Sequence, residues 1–195
     1  MIVYLHGFCS SPASAKARQL ADYLARLGRA NEFRCPALPP DPVQAIAAIE
    51  ATLADLPSPA TLIGSSLGGF YSTCLAERHG LQAVLVNPAL PTHLETVPLI
   101  GEHRNFHSGE AFTFTAAHQQ ALLDMAPRHL TPNRYLLLVE TGDEVLDAQV
   151  TTTALAGARQ VVLAGGDHSF TRFTEFLPTI VDYADAARNA AQPQI

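Results

Sequence analysis

The chain of 195 residues contains three cysteines, a single lysine and no long apolar run. Cys9, Cys35 and Cys74 are too few and too scattered for a disulfide framework, and they read as small packing residues. No stretch approaches the roughly 18 to 20 apolar residues that a membrane helix needs, which excludes a helical span. The opening "MIVYLHGF" has no charged n-region or cleavage site and enters a strand-like segment directly, so a reducing cytoplasm is the expected compartment. Basic residues number 12 against 18 acidic ones, giving a net charge of −6 with no basic cluster. Nucleic acid and anionic membrane surfaces are thereby excluded as expected partners. Eleven of the basic residues are Arg and only Lys16 is Lys, a bias that reads as genome composition and carries no activity by itself.

What the chain does have is apolar residues, 48% of the total, against 15% charged, the balance of a globular core. Its length fits one domain, taken here as 1–195, with a tail at 189–195 expected to fray. Short apolar runs recur at 2–5, 32–38, 60–65, 83–89, 134–141 and 159–165. Most are nearly continuous and do not alternate, as in parallel strands covered on both faces. Helical patterns lie between them, at 14–28, 41–56, 67–79, 115–129, 147–156 and 171–190. Asp41 and Pro42 open the second, and Gly28 and Gly80 close the first and third. This alternation predicts an α/β fold with a mostly parallel sheet of about six strands and helices on both faces. Residues 91–114, "PTHLETVPLIGEHRNFHSGEAFTF", are too long for an ordinary connection and too irregular for an element, and are expected to form a small cap.

The chemistry gathers at strand ends. In "TLIGSSLGGFYS" the pattern G-x-S-x-G fits only with Ser66 at its centre, flanked by Gly64 and Gly68. Such a serine sits on a sharp strand-to-helix turn with its hydroxyl clear of the sheet, and the helix N-terminus favours developing negative charge beside it. A glycine-rich turn with an incidental serine is the plain alternative, so the context decides. A nucleophilic serine needs a base and an orienting acid. "AGGDHSF" offers His168 just past the last strand, and "VETGDEVLD" offers an acid just past the strand before it. The order serine, acid, histidine is that of α/β-hydrolases. "YLHGF" ends the first strand, placing the Phe8 N–H with that of Leu67 as the expected oxyanion donors. His6 is read as a buried brace for that loop.

Together "YLHGF", "GSSLGG", "NPA", "LIGE", "TGDEVLD" and "GGDHSF" resemble the α/β-hydrolase superfamily, and within it the small YqiA-like esterases, over nearly the whole chain. The resemblance implies a serine esterase with Ser66, Asp143 and His168 as its triad. It implies hydrolysis of a small-molecule carboxylic ester or acyl thioester through an acyl-enzyme, without cofactor or metal. Two strands of the full-size superfamily sheet and a large helical lid are absent from the pattern.

Rival readings fall short of this one. "GSSLGG" lacks both G-x-G-x-x-G spacing and a P-loop lysine. His103 and His107, with Glu102 and Glu110 near, are spaced i, i+4 but lie in loop sequence without the H-E-x-x-H pattern of a zinc site. A non-catalytic binding protein on the same fold is the alternative of another class, although such proteins usually lose a triad member. Among the acids, Asp167 adjoins His168 and diverges from it, and Glu140 lies within the strand. Asp147 is expected to cap the next helix, so Asp143, following the Thr141–Gly142 turn, is favoured as the partner of His168, with Asp147 next. Phe112 and Phe114 share one face of an extended segment. With Leu99 and Phe106 they are expected either to wall an acyl group or to anchor the cap.

Overall fold

The computed structural model describes residues 1–57 and 59–190; of the expected tail, 191–195 lies outside the described residues and 189–190 complete the last helix. Among the described residues eight strands occur: β1 (Ile2–Leu5), β2 (Phe33–Arg34), β3 (Thr61–Ser66), β4 (Gln82–Pro88), β5 (Gly101–Arg104), β6 (Ala111–Phe114), β7 (Tyr135–Glu140) and β8 (Arg159–Leu163). The α-helices are α1 (Ala15–Arg26), α2 (Pro42–Ala54), α3 (Leu67–His79), α4 (Ala116–Met125), α5 (Ala148–Ala154) and α6 (Leu177–Ala190). Six strands form one sheet in the order β2-β1-β3-β4-β7-β8, every pair parallel, as the continuous apolar runs predict. No described helix is long and apolar enough to cross a membrane.

Strand residues alternate between two apolar layers although both are buried. Val3, Leu5, Leu62, Leu85 and Leu137 face α2, α3, α4 and α5. Ile2, Tyr4, Ile63, Val84, Val86 and Leu136 face α1 and α6. The helix boundaries follow capping chemistry. Asp41 accepts from the Val43 and Gln44 N–H with Pro42 at the first position, and Asp147 accepts from the Gln149 N–H at 2.7 Å. The expected helix at 115–129 stops at Met125 because Pro127 biases Ala126 out of the helical region. The one at 171–190 starts as a 3₁₀ turn, Thr171–Phe176, and becomes α6 only where Pro178 fits the first turn.

Two expectations need correction. The strand expected over 32–38 is only β2, an edge strand of two residues, since Pro36 lacks the N–H that would extend the ladder. The segment 91–114 is not irregular throughout. After a 3₁₀ turn at Pro91–His93 it forms an antiparallel hairpin, β5 against β6, with His103 opposite Phe112 and Gly101 opposite Phe114. Its tip is closed by the Asn105 side chain, which accepts from the His107 and Ser108 N–H groups, and by Gly109 at φ 73°.

Phe114 and Phe112 share a strand but not an environment. Phe114 is fully buried and packs edge-on against Phe8 at 5.3 Å between ring centres, whereas Phe112 is half-buried. Phe114 therefore anchors the hairpin. Phe114→Ala should cost about 3–5 kcal/mol of stability in urea unfolding, and Phe112→Ala clearly less. Equal, small losses would argue against the anchor.

Candidate active site

Ser66 ends β3 in a backbone conformation of φ 54°, ψ −125°, which a residue with a side chain occupies only under strain of about 1–3 kcal/mol. Its carbonyl accepts the Ala89 N–H at 2.9 Å, and the register of β3 against β4 shifts at this point. The helix that follows must pass almost in contact with β1. A Cβ on Gly68 would lie 2.0 Å from the Leu5 carbonyl oxygen, so no other residue fits. The loop after β1 reaches the same corner, where a Cβ on Gly7 would stand 3.1 Å from the Ser66 Cβ.

Three residues from three strand ends converge there. His168 Nε2 lies 2.9 Å from Ser66 Oγ, and Nδ1 lies 2.8 and 3.0 Å from the two Asp143 oxygens. A carboxylate accepts only, so Nδ1 carries the hydrogen and Nε2 is free to accept from the serine hydroxyl. Asp143 also accepts from the Val145 and Leu146 N–H groups at 2.9 Å each, and its side chain is 1% exposed. Burial pushes its carboxyl up, but the hydrogen bonds from His168, Leu146 and Val145 outweigh burial and hold it below the ordinary carboxylate value. Asp147 instead caps α5, and Asp167 makes no hydrogen bond to the His168 ring.

The other expected residues fall as follows. Leu67 begins α3, where the first N–H groups of a helix have no partner inside it. Among the described residues the Phe8 N–H has no acceptor. Its loop is braced by His6, whose Nδ1 donates to the Gly7 carbonyl at 3.1 Å and whose Nε2 accepts the Leu38 N–H at 3.1 Å. The hairpin braces it too: the Phe106 N–H donates to the Cys9 carbonyl at 2.7 Å and Asn105 Nδ2 to the Ser10 carbonyl at 2.8 Å. Leu99 and Phe106 line a cavity of about 410 Å³ that opens on Ser66 and His168, together with Leu94, Val97, Val145 and Leu146. Phe112 lines a separate groove beyond Phe8 and Phe114 lines neither, so the expected apolar wall keeps only Leu99 and Phe106. His103 Nε2 lies 2.7 Å from the Leu99 carbonyl, and no cluster of metal-ligating side chains occurs among the described residues.

Sequence reasoning missed the support behind His168. Glu140, at the end of β7, is fully buried beneath the His168 loop, where its carboxylate accepts the Asp167 N–H at 2.9 Å and pairs with Arg172 at 2.8 Å. Gly166 lies directly over that carboxylate, at φ 77°, leaving no space for a side chain. Asn87, also fully buried, accepts the Glu140 N–H at 2.9 Å and donates to the Asp167 carbonyl at 2.9 Å. Glu144 accepts the His168 N–H at 3.0 Å. The available signals were an asparagine closing an apolar run at "NPA" and a carboxylate inside a hydrophobic strand.

A parallel sheet with helices on both faces, a strained serine turn after β3 and a histidine loop after the last strand define the α/β-hydrolase fold. Solved structures agree. Alpha/beta hydrolase domain-containing protein 10 from mouse superposes with a TM-score of 0.71 at 18% identity, covering 95% of this chain and 89% of that one. Est1E from Butyrivibrio proteoclasticus, in its complex with ferulic acid, gives 0.66 at 13% identity, covering 97% and 89%. The esterase domain of a Rhodothermus marinus protein gives 0.63 at 18% identity, covering 96% and 86%. Residues 1–185 match the family UPF0227, described as an uncharacterised protein family, and the chain belongs to it.

A buried carboxylate is tolerable only while paired. Arg172→Met, which strands Glu140 and removes an arginine about a third exposed, should cost about 2 kcal/mol in urea unfolding at pH 7. Adding Glu140→Gln should recover part of that loss. Strictly additive losses in this double-mutant cycle would mean that the two side chains do not act as a pair.

Proposed function

We propose that the protein is a serine hydrolase of carboxylic esters or acyl thioesters, working through an acyl-enzyme. The observation that carries this reading is His168 bonded at once to Ser66 Oγ and Asp143, with the serine held on the strained turn. The names of the similar structures, two of them esterases, agree with it. The family match over residues 1–185 agrees with a single domain, and 91–114 is read as its cap.

In this reaction Ser66 Oγ forms a bond to the substrate carbonyl carbon while its proton passes to His168 Nε2. Asp143, buried and ionised, keeps the ring in the accepting tautomer and stabilises the imidazolium that forms. The carbonyl oxygen becomes an oxyanion, met by the N–H groups of Phe8 and Leu67 at the positive end of α3. Collapse breaks the bond to the leaving oxygen or sulfur, which takes the proton from His168. Water then attacks the acyl-serine with His168 again as base, releasing the acid and restoring Ser66. The cavity lined by Leu94, Val97, Leu99 and Val145 receives the acyl chain. Each methylene buried there contributes about 0.8 kcal/mol of binding.

Ser66→Ala should abolish both ester turnover and covalent labelling by a fluorophosphonate, with folding retained, while Ser65→Ala keeps substantial turnover. The reverse pattern would place the nucleophile one residue earlier, and labelling of neither wild type nor Ser65→Ala would favour a binding protein. Asp143→Asn should lower turnover by about 10⁴-fold, by analogy with the same change in a serine protease triad. Asp147→Ala should instead cost about 1 kcal/mol of stability through loss of its cap on α5. Normal turnover in Asp143→Asn beside collapse in Asp147→Ala would reverse the assignment.

A further inference from the structure

Ser66 stands at the meeting point of two cavities of similar size, one apolar and the other of mixed lining. The apolar one, about 410 Å³, contains both Phe8 and Leu67, so the carbonyl and the acyl chain attached to it belong there. The second, about 420 Å³, shares Phe8, Ser66 and His168 with the first but not Leu67. In the reaction proposed above, the leaving oxygen faces His168 and departs on the side away from Leu67, into this second cavity. Its lining is mixed: Tyr4, Phe106 and Phe170 stand among Ser10, Ser14, Lys16, Gln19, Ser169 and Thr171, so it offers many more polar groups than the first.

Lys16 is the one lysine of the chain. It lies in the first turn of α1, half-buried, with its side chain along the cleft. Among the described residues its ammonium forms neither an ion pair nor a hydrogen bond. Burial lowers its pKa, while Asp167 and Glu140 pull in the other direction. Glu140 is already neutralised by Arg172, and Asp167 forms no ion pair with Lys16. A partly desolvated ammonium without a partner is unfavourable in isolation and becomes favourable once an anion meets it. Asp167 offsets part of that charge, which suits a singly charged ligand group better than a doubly charged phosphate.

We infer that the mixed cleft recognises a carboxylate on the leaving-group side of the ester, paired by Lys16 and assisted by the surrounding hydroxyls. This deepens the serine hydrolase reading and rests on it. The substrate class is an ester of a hydroxy acid: an apolar acyl chain on one side of the scissile bond and an acidic alcohol on the other.

A matched pair of chromogenic substrates tests this, the butyrate esters of 4-nitrophenol and of 5-hydroxy-2-nitrobenzoic acid, which differ by one carboxylate on the leaving group. The wild-type enzyme should favour the carboxylated ester about tenfold in kcat/KM, which corresponds to about 1.4 kcal/mol. That ratio should shrink with added salt, since the cleft is open to solvent. Lys16→Met should bring the ratio to about one, and Lys16→Arg should keep most of it, with urea unfolding of both variants checking that they fold. Ser66→Ala that still hydrolyses both esters would sink the nucleophile and this inference with it. An inert Ser66→Ala beside a wild-type ratio of one, or a ratio unmoved by Lys16→Met, would overturn the inference alone.

Discussion

The close approach of α3 to β1 is the constraint on which the rest of this structure depends. Ser66 holds an unfavourable backbone conformation only because the chain on either side of it is over-determined. β3 is locked between β1 and β4, and every residue of α3 from Leu67 to Ala76 is buried. Gly68 lets the helix backbone rest on the Leu5 carbonyl, and that contact brings the loop after β1 beside the serine. A strain of about 1–3 kcal/mol is small against the burial of ten consecutive helical residues, so packing supplies the rigidity that the turn spends. In the proposed reaction this geometry puts the nucleophile, the start of α3 and the Phe8 N–H at one point without further adjustment.

The histidine is held differently. Its loop has no regular structure, with glycines at 165 and 166 in the left-handed region, and would be mobile if left to itself. Glu140 and Asn87 supply the missing rigidity from beneath by fixing the backbone of Asp167. Glu144 fixes the His168 N–H from above. The ring can then stay within 3 Å of both of its partners. These side chains touch neither Ser66 nor the cavity for substrate, so they are positioning residues. The cost of burying Glu140 is offset by Arg172 and by the Asp167 N–H together, since neither alone saturates a carboxylate.

Much of this was legible in the sequence, and for physical reasons. Strands buried on both faces leave continuous apolar runs. Helix boundaries follow local chemistry at Asp41, Asp147 and Gly80. The serine turn tolerates so few residues that G-x-S-x-G fixes its register. The hairpin was not legible because β5 reads "GEHR", with no apolar signal, and draws its stability from Phe8 and from the loop carbonyls of Cys9 and Ser10. Pairwise pattern could not separate Phe112 from Phe114 either. Both lie on the same face of β6, and only the three-dimensional position of Phe8 buries one and leaves the other half-open. Lys16 carried no signal at all as a member of a composition. Its meaning comes from the cleft in which α1 places it.

Among the described residues no helical lid covers the apolar cavity, and the hairpin borders it instead. A lid would close the apolar cavity and shape the oxyanion loop as separate tasks. Here one element does both, because its two ends face different neighbours. Phe114 and Phe112, at the base, hold the ring of Phe8 edge-on, and Asn105 and Phe106, at the tip, bind the carbonyls that follow Phe8. The side chain of Phe106, 80% exposed, then stands at the boundary between the apolar cavity and the mixed one. In the proposed reaction, the loop that presents the oxyanion donor and the residue that divides acyl side from leaving side are thus tied to one another by one main-chain hydrogen bond and one from the Asn105 side chain. Any movement of the hairpin would, in that proposed reaction, alter the oxyanion geometry and the partition between the cavities together, which would couple selectivity to rate.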